Sequence, residues 1–197
     1  MTLKNPEVLP RSFYSRDTLT VAKELLGKYL VRQVGRKMVV GKIVEVEAYG
    51  GSDDPASHAY RGITPRNKLM FGEAGHAYIY FTYGNHYCLN VTTEKEGKPG
   101  AVLIRAIEPV KGIDLMKKHR KTSLENLTNG PGKLTQALKI TKKQNGLDLT
   151  KKGELFICFP QNKEKIEIVS SRRIGIKVGT EKLWRFYIKN NPFVSKR

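Results

Sequence analysis

The sequence predicts a mixed α/β (α+β) fold: a curved, largely antiparallel β-sheet core with surrounding helices and one protruding β-hairpin. Three observations carry that prediction. Stretches rich in Val, Ile, Tyr and Phe outnumber helical stretches; short turns join most of them, as antiparallel neighbours require; and no internal repeat or low-complexity linker interrupts the 197 residues. Residues 1–197 are therefore expected to form a single domain, long enough to bury a core without disulfides or a metal.

In chain order, Ser15 or Asp17 can cap a helix that runs through Leu26, with Leu19, Ala22, Leu25 and Leu26 on one side and Gly27 as its stop. Residues 28–34 and 38–48 read as two strands across a short Gly-Arg-Lys turn. The second ends in Glu45-Val46-Glu47-Ala48-Tyr49, where alternation puts Glu45, Glu47 and Tyr49 on one face, opposite Val44, Val46 and Ala48. Residues 50–71 show no period and read as a long loop, a length that in a compact domain points to function or disorder. Residues 77–90 form the hairpin, with Gly84-Asn85 suited to the positive φ angles of a tight turn and Tyr83 and His86 flanking it.

Residues 100–109 read as a strand that carries Arg105 among apolar neighbours, and a buried arginine needs an acidic partner. A basic helix follows over 113–121. Residues 129–138 resemble a Gly-rich turn entering a helix, whose amides could hold a phosphate, although the spacing is not that of a nucleotide-hydrolysing Walker loop. Short strands over 154–159, 165–169, 174–178 and 184–189 complete the chain.

The chain carries 36 Lys and Arg against 18 Asp and Glu, a formal charge of +18. That excess favours polyanionic partners, with nucleic acid first. It is also uneven: residues 1–110 hold 15 basic and 11 acidic groups and residues 111–197 hold 21 and 7, so the second stretch supplies +14 of the total. Lys117-Lys118-His119-Arg120-Lys121, Lys142-Lys143 and Lys151-Lys152 are candidates for a phosphate-facing surface, and equally for a merely solvated one. No apolar run approaches a spanning helix and residues 1–15 lack the apolar block of a signal peptide, so no membrane partner and a cytoplasmic location are expected. Cys88 and Cys158 stand far apart without metal-ligand spacing, which argues against a zinc ribbon or an iron–sulfur cluster and leaves both expected reduced and packed.

Three chemical features remain once the scaffold is removed: Glu47 at a strand end beside Tyr49, His58 on the long loop, and Tyr80 three residues before the hairpin tip. Tyrosine and histidine faces can sandwich a planar base, and a carboxylate beside them can take a proton from water. Tyr83 at the tip can enter a duplex and unstack a base step, at a cost of roughly a few kcal/mol. The plainer readings stand beside these: hairpin tyrosines that face a core, a strand glutamate that pairs with a cation, a solvated loop histidine.

The run Ile43-Val-Glu-Val-Glu47-Ala-Tyr49, His58, Thr64-Pro-Arg-Asn67, Met70-Phe71, Tyr78-Ile-Tyr-Phe-Thr-Tyr-Gly84, Asn90 and Leu103-Ile-Arg105-Ala-Ile-Glu-Pro109 closely resembles the alkyladenine (3-methyladenine) DNA glycosylase family. The likeness continues through Gly130–Leu138, Arg173-Ile-Gly175 and Trp184–Tyr187, and so spans nearly the whole chain in order. It implies one mixed α/β catalytic domain with an antiparallel core. It also implies a role for each matching residue. Glu47 matches the general base that deprotonates the water attacking the sugar C1′. Arg105 matches a residue that helps hold that water, and Ile174 one whose backbone carbonyl does the same. Tyr49, His58 and Tyr80 match the pocket that stacks on and contacts a flipped-out base, His58 partly through its backbone amide. Asn90 matches the residue that crowds the exocyclic amine of normal guanine, and Tyr83 the side chain that fills the gap in the duplex. Beside Tyr83, the tip residues Gly84-Asn85-His86 are more polar than the family pattern.

The implied partner is double-stranded DNA with a damaged purine, bound by a monomer without cofactor or metal. Purines alkylated at N3 or N7 are cationic, so the glycosidic bond is already weakened and one carboxylate suffices, its charge also favouring an oxocarbenium-like transition state. Neutral lesions such as hypoxanthine and etheno-adenine lack that help. Three rivals remain: a non-catalytic nucleic-acid-binding module, a metal-dependent nuclease using Glu45, Glu47, Asp53, Asp54 and His58, and a bifunctional glycosylase with Lys42 or Lys68 as nucleophile.

Overall fold

A computed structural model describes residues 5–162 and 164–195. Its strands are β1 (Tyr29–Val34), β2 (Lys37–Tyr49), β3 (Ala77–Thr82), β4 (His86–Thr92), β5 (Ala101–Lys111), β6 (Leu155–Cys158), β7 (Ile168–Ser171) and β8 (Arg185–Ile188). They form one curled antiparallel sheet in the order β3-β4-β5-β2-β1-β6, with β8 added to β2 and β7 to β8. The mixed α/β expectation therefore holds. Helices α1 (Arg11–Tyr14), α2 (Thr18–Leu25), α3 (Ile113–His119) and α4 (Pro131–Ala137) lie around it. Asp17 caps α2, its side chain accepting from the Thr20 amide at 2.9 Å.

β2 is the strand that makes the sheet curl. Its 13 residues pair with β1 over the first half, with β8 over the second half, and with β5 along the other edge. The β2–β5 register slips so that Val44 and Arg105 have no residue opposite. A bulge of this kind twists the ladder and re-aims its side chains.

Period-two alternation then divides the chemistry between two faces. Val44, Val46, Ala48, Ile79, Leu89, Val91, Val102, Ile104 and Phe186 point into the main apolar core with Val21, Leu25 and Leu134 from the helices. The opposite face carries Glu45, Glu47, Tyr49, Tyr78, Tyr80, Asn90, Leu103 and Arg185, fixed by the pairings Tyr78↔Asn90, Asn90↔Leu103, Glu47↔Leu103 and Glu47↔Arg185. Residues 50–71 cover that face through a smaller cluster of Ala59, Met70, Tyr78 and Ala101, and end in a 3₁₀ turn over Lys68–Phe71.

Four local expectations are corrected. The hairpin turn is one residue earlier: the positive φ angles are at Tyr83 (50°) and Gly84 (69°), and the Asn85 amide bonds back to the Thr82 carbonyl. Residues 174–178 are not a strand, because Gly175 at φ 77° breaks the alternation and Arg173 is tied to Asp54 instead of to a sheet edge. The strand expected over 165–169 is Ile168–Ser171, set by its register opposite β8. The helices over 113–121 and 129–138 end short, at His119 and Ala137.

Candidate active site

A cavity of about 340 Å³ opens on the polar face, within the usual size of a small-molecule pocket of about 300–1,000 Å³. Tyr49, His58, Tyr80, Asn90, Arg105, Ile174 and Tyr83 all line it. Of the residues to which the resemblance gives a role, Glu47 alone does not: it is 0 % exposed and lies one layer behind the wall. Its partners make the connection. Glu47 Oε1 accepts from the Ile174 amide at 2.7 Å and faces Arg105 Nη1 at 3.4 Å, while Oε2 accepts from the Tyr49 hydroxyl at 2.8 Å. Each of those three residues faces the cavity on its other side. The Ile174 amide thus holds Glu47, a contact separate from the one that the resemblance implies for the Ile174 carbonyl.

The second carboxylate, Glu45, explains how Arg105 is held. Glu45 Oε1 accepts from Arg105 Nε at 3.0 Å, Arg185 Nε at 2.8 Å and Ser195 Oγ at 2.8 Å, and Oε2 accepts from the Ser195 amide at 2.6 Å. The acidic partner that a buried arginine needs is present twice over. Burial, the largest influence on Arg105, pulls its pKa down, but Glu47 and Glu45 together reverse that, and the net shift is upward. Arg105 stays charged.

Tyr49 is half-buried beside Glu47; desolvation and then the Glu47 charge raise the pKa of its hydroxyl, which remains the donor. Behind it sits a pair that sequence reading missed: Arg173 places its guanidinium 4.7 Å from the Tyr49 ring centroid and forms a two-point ion pair with Asp54 at 2.6 and 2.7 Å. The Asp54-Pro55 turn and the Arg-Ile-Gly block were both visible in the sequence; their closeness, 119 residues apart, was not.

On the other wall, the His58 ring meets Tyr80 edge-on at 4.6 Å, and His58 Nδ1 shares a hydrogen bond with the Tyr78 hydroxyl at 2.8 Å. Tyr78 follows from alternation with Tyr80 and was the signal for this second missed residue. Burial, then Arg66, lowers the His58 pKa to about 4, so the imidazole is neutral at neutral pH. The His58 carbonyl accepts from Asn67 Nδ2 at 2.7 Å, which fixes the loop. Asn90 is buried, donating from Nδ2 to the Tyr78 carbonyl at 3.0 Å. Cys88 at the cavity wall has its thiol pushed up to about 11 by burial and is an inert packed thiol, as is Cys158.

Tyr83 stands at the hairpin tip with 77 % of its surface exposed and its ring 5.8 Å from that of His86. Gly132 at the start of α4 lets the His86 ring lie where a Cβ would be, so the turn end of the hairpin rests directly on the helix. Beyond it runs a groove of about 960 Å³ lined by Lys118, His119, Arg120, Lys133 and Lys139, with no carboxylate in its wall. The Lys117–Lys121 run therefore contributes to a continuous basic surface next to the cavity, whereas Lys151 turns to Asp148 at 3.2 Å.

The groups of the rival chemistries do not converge. Asp54 is taken by Arg173, Glu45 by its arginines, Lys42 by Glu108 at 3.0 Å and Glu164 at 3.2 Å, and Lys68 is not part of the cavity lining. Among the described residues no cluster of three His, Cys, Asp or Glu side chains could hold a metal ion, and no helix is long and apolar enough to cross a membrane.

A family model described as methylpurine-DNA glycosylase (MPG) matches residues 12–192. The chain belongs to that family. It is accordingly a DNA glycosylase, a hydrolase of N-glycosyl bonds, and DNA is its substrate. A protein of Carboxydothermus hydrogenoformans named "Putative 3-methyladenine DNA glycosylase" is 54% identical over 191 residues, covering 96% of this chain and 100% of that one. Proteins of the same name from Clostridium acetobutylicum and Legionella pneumophila (strain Corby) are 52% and 49% identical, each covering 95% of this chain and 97% and 98% of their own.

Proposed function

We propose that residues 1–197 act as one monofunctional glycosylase domain that takes an alkylated purine, such as 3-methyladenine or 7-methylguanine, out of duplex DNA and hydrolyses its N-glycosidic bond with a water activated by Glu47. The observation that carries this reading is that Glu47 is hydrogen-bonded to Tyr49 and Ile174 and ion-paired with Arg105, three residues that line one cavity walled by Tyr49 and by His58 and Tyr80. A carboxylate offers about four acceptor sites, and hydrogen bonds take two of them here, which leaves room for a water. Arg105 and Ile174 both contact Glu47 and line the cavity, which supports a water held between them within reach of the carboxylate.

In the reaction, the water oxygen bonds to C1′ while the C1′–N bond breaks, its electron pair goes to the purine, and the water proton passes to Glu47. A cationic purine leaves as a neutral base, so no acid is required. Stacking a cationic ring on Tyr49 and Tyr80 contributes roughly 0.5–2 kcal/mol each, and damaged bases cost less to extrude than paired normal ones. Asn90 at the cavity wall is suited to crowd the exocyclic amine of guanine. Tyr83 fills the space left in the duplex, and the basic groove holds phosphates without regard to sequence. The reading requires a monomer only.

The test is base-release chromatography on methylated duplex DNA, with and without EDTA. The expected result is free methylated purine and an intact abasic strand in both samples. Cut strands that vanish with EDTA would mean a nuclease, a borohydride-trapped adduct a lysine nucleophile, and binding without release a non-catalytic module.

A further inference from the structure

Arg173 is not needed to hold Glu47, and its side chain is 0 % exposed, yet it carries a full charge directly behind the ring that faces the cavity. It stands between two aromatic rings, 4.7 Å from Tyr49 and 5.3 Å from Trp184, and also donates from Nη1 to the Ala48 carbonyl at 2.9 Å. Asp54, equally buried, is oriented by the amides of Gly50 at 3.0 Å and Ala56 at 3.2 Å so that both of its oxygens meet the guanidinium. Arg173 does not line the cavity and Tyr49 does, so the guanidinium occupies the back face of the ring.

We propose that Arg173 and Asp54 are a positioning pair that sets how strongly Tyr49 attracts a positively charged base, and hence the balance between cationic and neutral lesions. The inference rests on the base-capture reading above and deepens it. A cation binds an aromatic face because that face is electron-rich. A second cation on the opposite face repels the first and draws on the same electrons. Bidentate pairing with Asp54 cancels most of that repulsion while the planar guanidinium still clamps the ring from behind. Tyr80 lacks this arrangement: Arg66 lies 5.1 Å from its ring centroid, and no carboxylate among the described residues pairs with it. The charge balance of the pocket is therefore adjustable at Asp54.

The experiment measures equilibrium binding of two duplexes, one with cationic 7-methylguanine and one with neutral etheno-adenine, by Glu47→Gln protein with and without a second change. Asp54→Asn leaves the Arg173 charge uncompensated and is expected to lower the ratio of cationic to neutral affinity by roughly 5- to 10-fold, the scale of a partly screened like-charge contact. Arg173→Gln removes the cation and should move the ratio the other way. Opposite movements by two changes that loosen the same brace cannot come from lost structure, which would weaken both lesions alike. If one variant does not fold, as thermal unfolding will show, the other alone tests the sign. An unmoved ratio in a folded variant, or the same direction in both, overturns the proposal. Should the Glu47→Gln parent bind neither lesion better than undamaged duplex, the base-capture reading itself has failed.

Discussion

The cavity floor, taken as Arg105 with the buried layer beneath it, and the hairpin tip are built in opposite ways. At the floor, Glu45, Glu47, Arg105 and Arg185 are all at most 7 % exposed, and the two carboxylates hold the Arg105 guanidinium and the amides of Ile174 and Ser195. At the tip, Tyr83 is 77 % exposed, with Phe81 two residues earlier at 51 % and Val178, in the cavity lining, at 53 %. Charges are inside and apolar surface is outside, the reverse of what folding alone favours. On the proposed reading, the floor fixes the geometry of a reaction before any substrate arrives, and the tip withholds burial that a nucleic acid partner supplies.

The sharpest way to break the comparison is at Glu47. Glu47→Gln keeps the shape and an acceptor oxygen but removes the base, and base release is expected to fall by roughly 10²- to 10⁴-fold, the usual range for a positioned general base, with lesion binding retained. Single-turnover release assays and a binding titration check both halves, and turnover equal to that of the parent removes Glu47 from the mechanism. Next in size is Glu45→Gln, which leaves two buried arginines without their shared anion. It should destabilise the fold by about 3–5 kcal/mol in denaturant unfolding, because a broken buried pair leaves uncompensated charge. A loss under 1 kcal/mol would show that the floor is not a saturated network.

How far the sequence already contained this contrast differs by scale. The two faces of β2 were legible because alternation needs only one strand, and that alone grouped Glu45, Glu47 and Tyr49. The need of Arg105 for an acid was likewise local to its strand. What could not be read was which acid. That depends on the bulge that leaves Val44 and Arg105 unpaired, on β8 joining the same strand, and on Ser195 reaching back 150 residues to Glu45. Residues 174–178 looked like a strand because Ile-Gly-Ile-Lys-Val alternates, and only the positive φ of Gly175 and the grip of Asp54 on Arg173 release it to deliver the Ile174 amide. At the tip, a turn was evident from Gly84, but its shift onto Tyr83 at φ 50° was set by pairing register rather than by residue preference.

At the tip the expected effects are smaller and fall on binding alone. Tyr83→Ala should weaken lesion-duplex binding by about 1–3 kcal/mol, the range for a stacking side chain. Its stability should change by no more than about 0.5 kcal/mol, since the ring covers little. Unchanged affinity at fixed salt would take the wedge out of the account. In the adjoining groove, Lys133→Gln should weaken lesion and undamaged duplex equally and reduce the slope of log affinity against log salt by about 0.9, one phosphate contact. A change confined to the lesion duplex would place Lys133 in the pocket and not on the backbone path.

His58 lies between the two regions, exposed at the mouth yet bonded inward to Tyr78, and it gives the finest test of where the floor ends. Burial and Arg66 lower its pKa from 6.5 to about 4, so the folded protein takes up this proton less readily than the unfolded chain. Between those two values the unfolded state binds more protons, and stability falls as the pH falls, with the loss complete below the lower one. Solvent at the mouth screens the effect, so the loss attributable to His58 between pH 7 and 4.5 should be at most about 1 kcal/mol. Urea unfolding of the parent and of His58→Gln at the two pH values isolates it, the variant losing less than the parent. Equal losses would mean that His58 titrates as a free surface histidine and belongs, electrostatically, to the tip.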